Sequence, residues 1–171
     1  MKTIIFTTAL LAWSGLCVRA GESLAVNTNS MPVNALTDYA GKFGIGAMVG
    51  EPTGASLKYW LNDTVAIDGA VGWSFHEDSN LYLHSEVLWH NFDLLPVSHG
   101  RLPVYFGVGA LARFRDQNHD NEVGIRVPVG LCYLFENAPV DVFVEVAPAI
   151  DVAPGVRGEI TGGVGVRYWF K

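Results

Sequence analysis

Glu122-Val123-Gly124-Ile125-Arg126-Val127-Pro128-Val129-Gly130-Leu131-Cys132-Tyr133-Leu134-Phe135 alternates between two kinds of residue over its whole length. Its odd positions are all apolar and mostly β-branched or aromatic, while its even positions mix Glu, Arg, Gly, Pro, Cys and Leu. A helix cannot sort residues with a period of two. A strand does so automatically, because successive side chains leave opposite faces.

The same alternation recurs on both sides. Upstream, Ala55, Leu57, Tyr59 and Leu61 alternate with Gly54, Ser56, Lys58 and Trp60; then Val65, Ile67, Val71, Trp73 and Phe75 alternate with Ala66, Asp68, Ala70, Gly72 and Ser74. Downstream, Val140, Val142, Val144 and Val146 face away from Asp141 and Glu145, and Ile160, Val164, Val166, Tyr168 and Phe170 face away from Glu159, Thr161, Gly165, Arg167 and Trp169. Three further strands are expected near 43–50, 81–92 and 102–114. Turn-forming residues separate the runs: Glu51-Pro52, Asn62-Asp63, Asp78-Ser79-Asn80, the Asn118–Asn121 stretch, Asn137-Ala138-Pro139 and Pro154-Gly155. Links this short make neighbours antiparallel, and an even number of meandering strands can close on itself and remove both edges. The expectation is an all-β, eight-stranded antiparallel up-and-down transmembrane β-barrel, closed by pairing the strand near 43–50 with that near 159–170.

Composition narrows the setting. Of 171 residues, 50% are hydrophobic and only 16% charged, with a mean hydropathy of +0.25, which excludes a disordered chain. Residues 1–20 read as a signal peptide: Lys2, an apolar run from Ile4 to Leu16, then Val18-Arg19-Ala20. That run is too short to span about 30 Å of hydrocarbon as a helix. Residues 21–42 read as a flexible periplasmic lead-in and 43–171 as the barrel domain. Without Lys2 and Arg19 the mature chain carries 9 basic and 17 acidic residues, a balance that argues against a nucleic-acid partner. Losing Cys17 leaves Cys132 with no partner for a disulfide.

Which face is the core separates a soluble barrel from a membrane one. The charged set, one or two per strand diluted by Gly, Ala and Ser, is too sparse to clothe an exterior but suits a narrow lumen. The apolar set suits lipid, and strands of about ten residues match a tilted membrane strand. Lys58, Asp68, His84, Glu86, Arg113, Arg126, Asp141, Glu145, Glu159 and Arg167 are then expected inside, four positive and five negative charges that nearly cancel. Two or three of them are expected near wet rims. For Arg126 the candidate partners are Glu145 on the adjoining strand and Glu86 or Glu159 across the barrel. Tyr59, Trp73, Phe75, Trp89, Phe114, Tyr133, Phe135, Tyr168 and Phe170 fall near strand ends on the apolar face, where interfacial belts form.

The terminal run Gly165-Val166-Arg167-Tyr168-Trp169-Phe170 is similar to the last-strand signal of bacterial outer-membrane barrels, a Gly followed by aromatic residues at alternate positions ending in Phe; here Lys171 follows it. With its strand count, the chain resembles the eight-stranded outer-membrane barrels typified by outer membrane protein A. The resemblance implies an outer-membrane location, lipid as surroundings, and folding by the barrel assembly machinery, with Gly165, Tyr168 and Phe170 as the assembly signal. The Gly50–Gly54 hairpin is also similar to that of small exported barrels, a likeness that implies no activity.

Two small outer-membrane barrels modify lipid A, and the deacylase carries His-x-Ser on one strand face. Here His76, His84, His90, His99 and His119 are followed at plus two by Asp, Glu, Phe, Arg and Asn. His84 and Glu86 share a face, half of a triad, but no nucleophile can be assigned to them. Asp116 to Glu122 alternates oxygen side chains like the start of a calcium loop, yet lacks the glycine at position six and has Val127 at position twelve. No metal site and no cofactor are expected. The function expected is a non-catalytic, monomeric outer-membrane barrel with a structural or interaction role and a charged interior. The alternative is a lipid-A-modifying or other lipid-active barrel enzyme. The links near 51, 76–80, 115–121 and 152–158, expected outside the cell, are short for an adhesin.

Overall fold

The computed structural model describes residues 41–74, 80–114 and 121–171. The signal peptide, most of the lead-in, Phe75, His76, His119 and most of the Asp116–Glu122 loop lie outside the described residues. Nine strands follow in order: β1 Phe43–Glu51, β2 Thr53–Trp60, β3 Val65–Ser74, β4 Asn80–Asn91, β5 Val104–Phe114, β6 Glu122–Arg126, β7 Val129–Leu134, β8 Val140–Ala153 and β9 Arg157–Phe170. No helix among the described residues is long and apolar enough to cross a membrane.

All the strands form one antiparallel sheet that returns on itself. From β1 to β5 each pairs with the next in sequence, as do β8 and β9, and β1 closes the ring against β9 from Phe43↔Phe170 to Glu51↔Gly162. β6 and β7 occupy a single position, both pairing with β5 and with β8. The sequence predicts one unbroken strand there, and Pro128 divides it because proline supplies no N–H. The wall stays closed across the gap: Gly107 N–H donates to Pro128 O at 2.9 Å and Val127 N–H donates to Pro148 O at 3.0 Å. The barrel therefore has eight strand positions.

β8 reaches Ala153, seven residues past the last of its alternating valines, Val146, and overlaps the start of the expected 152–158 link. Ala147-Pro148-Ala149 dilutes the alternation, but Ile150 and Val152 keep its parity and stay outward. At the opposite seam β1 and β2 are the short pair, joined by a tight turn. Gly50, at φ +145°, donates its N–H to Thr53 Oγ1 at 3.1 Å, and that hydroxyl donates back to Gly50 O at 2.9 Å.

The faces sort as a barrel inverted relative to a soluble one. Outward lie Ile45, Leu57, Ile67, Leu83, Ile125 and Val144, each about half exposed, while the inward set is buried. Large inward side chains rest on inward glycines of neighbouring strands: the Phe143 ring covers Gly165, the Tyr105 ring covers Gly130 and Trp169 covers Gly44. Eight strands enclose a lumen about one layer of side chains wide. Glycine on one strand is what makes room for an aromatic ring or guanidinium on the next.

Candidate functional site

The inward positions assemble into three tiers, each centred on one arginine. At the end away from the chain termini, Arg113 on β5 contacts Glu122 and Asp151, both at 3.1 Å, and Glu159, with its guanidinium 5.1 Å over the Tyr82 ring. In the middle, Arg126 on β6 bonds Glu86 on β4, Glu145 on β8 at 2.6 Å and Thr161 Oγ1 at 3.2 Å. Toward the termini, Arg167 on β9 bonds Asp68 on β3 and Asp141 on β8, the latter at 3.2 Å, with its guanidinium 4.0 Å over Phe143. Each cluster draws partners from strands that are not all adjacent in the sheet, so each ties the lumen across its width.

Secondary contacts hold the carboxylates in place. Trp169 Nε1–H donates to Asp141 at 2.8 Å, and the Tyr105 hydroxyl donates to Glu145 at 2.9 Å. Thr161 Oγ1 donates onward to Ala147 O at 3.1 Å. His84 lies 3.7 Å from Glu86, inside the lumen at 4% exposure, whereas Ser85 between them faces out. Arg126 and His84 therefore meet at Glu86, with the Thr161 hydroxyl on the far side of the guanidinium.

Lys58 on β2 is buried among rings. Its Nζ lies 2.7 Å from His90 Nε2 and about 5 Å over the Trp60 and Tyr105 rings, at 5.0 and 5.1 Å. Below it, Trp60 and Trp169 stack at 6.1 Å, His90 lies 4.4 Å from Trp60, and Phe92 packs onto both. These rings floor the lumen at the terminal end.

All ten residues anticipated inside are inward, and only Glu159 keeps a substantially wetted side chain, at 23%. Glu159 sits against Arg113, so Arg126 draws on Glu86 instead. The anticipated near-balance of charge does not hold. Glu122 and Asp151 also point in, so Lys58 and three arginines face seven carboxylates. Asp151 lies beside the expected 152–158 link and was not among the ten, yet it shares odd parity with Asp141 and Glu145. His90 and Tyr105 were not among them either, although parity with Glu86 and Arg113 finds them. Cys132 is free and buried, and among the described residues no three His, Cys, Asp or Glu side chains are arranged to hold a metal.

No family model matches the chain, and no curated protein matches it significantly. Among solved structures, the N-terminal β-barrel domain of Pseudomonas aeruginosa OprF is similar, with a TM-score of 0.60 and 17% identity over 75% of this chain and 96% of its own. Ail, the attachment invasion locus protein of Yersinia pestis, aligns over 75% of this chain and 96% of its own at 15% identity, with a TM-score of 0.36. The fold is thus an all-β, eight-stranded antiparallel up-and-down barrel, the architecture of the small transmembrane barrels of bacterial outer membranes.

Proposed function

We propose that this chain is a non-catalytic barrel of the bacterial outer membrane, with a structural or interaction role. The observation that carries the reading is the inversion of its faces. Half-exposed Val, Ile, Leu, Phe, Tyr and Trp wrap the outside, while three arginines, a lysine and seven carboxylates fill the inside. In water that arrangement would leave the apolar band exposed to solvent, at a cost of about 25 cal/mol per Å². In a bilayer the same band is the contact surface, and the closed ring leaves no backbone edge in hydrocarbon.

The lumen supports a static role over a conducting one. Arg126 is wholly buried between Glu86 and Glu145, and the Trp60–Trp169 floor closes the terminal end. Against the lipid-enzyme alternative stands the placement of His84 and Glu86, enclosed beside Arg126 rather than at the lipid-facing wall. The remaining parts of the reading are lipid as the chief partner, a monomer, and delivery by the barrel assembly machinery through Gly165, Tyr168 and Phe170.

Heat-modifiable gel mobility tests it. In detergent-extracted outer-membrane fractions the unheated chain should run faster than the boiled chain, because folded barrels keep their compact form in detergent until heated. Recovery in the soluble fraction, or one mobility before and after boiling, would overturn the reading.

A further inference from the structure

The links at the terminal end of the barrel are unequal. Residues 61–64 join β2 to β3 and 135–139 join β7 to β8, but β4 and β5 are joined by residues 92–103, more than twice as many. An antiparallel pair needs only a few residues to turn. The surplus carries Leu94-Leu95-Pro96-Val97, with Leu94 59%, Leu95 39% and Val97 40% exposed.

This link is braced on both limbs. Asn91 Oδ1 accepts the N–H groups of Asp93 at 2.9 Å and Leu94 at 3.2 Å, and Phe92 packs into both nearby core clusters. On the return limb, the Arg101 guanidinium lies 5.4 Å over Phe92, and its backbone exchanges hydrogen bonds with Leu134 at 3.0 and 2.8 Å. The apolar tip is therefore held out by its own scaffold rather than folded into the barrel.

Its neighbours say what it is held out toward. The Tyr133 hydroxyl donates to His99 O at 3.1 Å, so the return limb runs along the outer perimeter beside the Tyr133–Phe135 pair. The two strands that the link joins carry the stacked Trp89–Phe106 pair on their outer faces, with centroids 5.7 Å apart. The tip thus continues the outward aromatic band at this end of the barrel. It holds no charge between Asp93 and His99.

We propose that the 92–103 link is a membrane anchor whose Leu94-Leu95-Pro96-Val97 tip inserts into the head-group region of the leaflet at the terminal end. The inference rests on the membrane reading above. Interfacial segments bind by burying apolar side chains at the boundary of head groups and acyl chains, while flanking polar groups stay wet. Asp93 and His99 are placed to be those wet flanks.

The test uses the full chain, in a Cys17→Ser background, folded into phosphatidylcholine vesicles. Cys132 is fully buried and escapes labelling in the folded state. An environment-sensitive fluorophore is placed at Leu95→Cys, at Asn62→Cys in the short 61–64 link, and at outward-facing Val144→Cys in β8. At Leu95→Cys the anchor requires quenching by lipids with a nitroxide near the head group, and iodide quenching about fivefold weaker than at Asn62→Cys. Iodide access equal to that at Asn62→Cys would overturn it. Shielding from iodide and from nitroxide lipid alike would also overturn it, showing a protein surface over the tip. Val144→Cys separates the two failures: quenching there by lipids with a nitroxide on the acyl chain keeps the barrel in the bilayer whatever the tip does, and its loss sinks the membrane reading itself.

Discussion

Removing the Arg126 guanidinium would leave Glu86 and Glu145 facing each other across an enclosed lumen. Breaking a buried pair by deleting one partner costs about 3–5 kcal/mol, because the surviving charge is stranded. Arg126→Ala is therefore expected to lower the urea midpoint in lipid vesicles by an amount of that order. Ile125→Ala, on the outer face one residue away, should lose only outer-face contact. The three arginines should also rank. Arg113 keeps a partly wetted partner in Glu159, so Arg113→Ala should cost less than Arg126→Ala or Arg167→Ala. Equal midpoints across the three variants would show that the lumen screens all tiers alike. Parity alone was enough to place these side chains inside, but not to pair them. Partners such as Glu86 for Arg126 depend on how strands stagger around the ring, which no single strand encodes.

At the scale of the strand, the packing of rings onto glycines makes a sharper forecast. A Cβ at Gly165 would collide with the Phe143 ring, and one at Gly130 with the Tyr105 ring, whereas one at Gly158 would meet nothing within 4 Å. Gly165→Ala and Gly130→Ala should each destabilise by about 1–3 kcal/mol through overpacking, while Gly158→Ala stays within about half a kcal/mol. Shaving the ring by Phe143→Leu should recover part of the Gly165→Ala loss, and no recovery would assign that loss to the backbone. A second forecast concerns β9 as an assembly signal. Phe170→Ser should reduce membrane insertion far more than deletion of Lys171, measured as the heat-modifiable fraction, and equal insertion would make the aromatic ending incidental. Strand existence was readable from alternation, whereas strand extent was not. The Pro128 break and the far half of β8 both fall where proline or alanine blurs the two-residue period. What happens there is decided by neighbouring strands, since Gly107 and Pro148 supply the bonds that carry the wall across.

For the whole molecule, the number of strand positions and the closing pair were legible because an even meander with a polar-dotted face has few other ways to hide its edges. The charge excess of the lumen was not, since it rests on Glu122 and Asp151, which stand beside turn residues at the ends of their runs. The closing seam also has a consequence for how the chain is made. Phe43 pairs with Phe170, 127 positions later, so the contact that removes both edges joins nearly the most distant strand residues. Pairings this remote are reached last, after the intervening chain has surrendered its freedom. Until β9 arrives, seven completed strand positions still present two raw edges to any passing chain. A chain ending before Arg157 is accordingly expected to accumulate as protease-sensitive aggregate rather than as a smaller barrel, read by limited proteolysis of membrane fractions. The fourteen residues of β9 thus work as a checkpoint: a half-made copy cannot pass for a finished one.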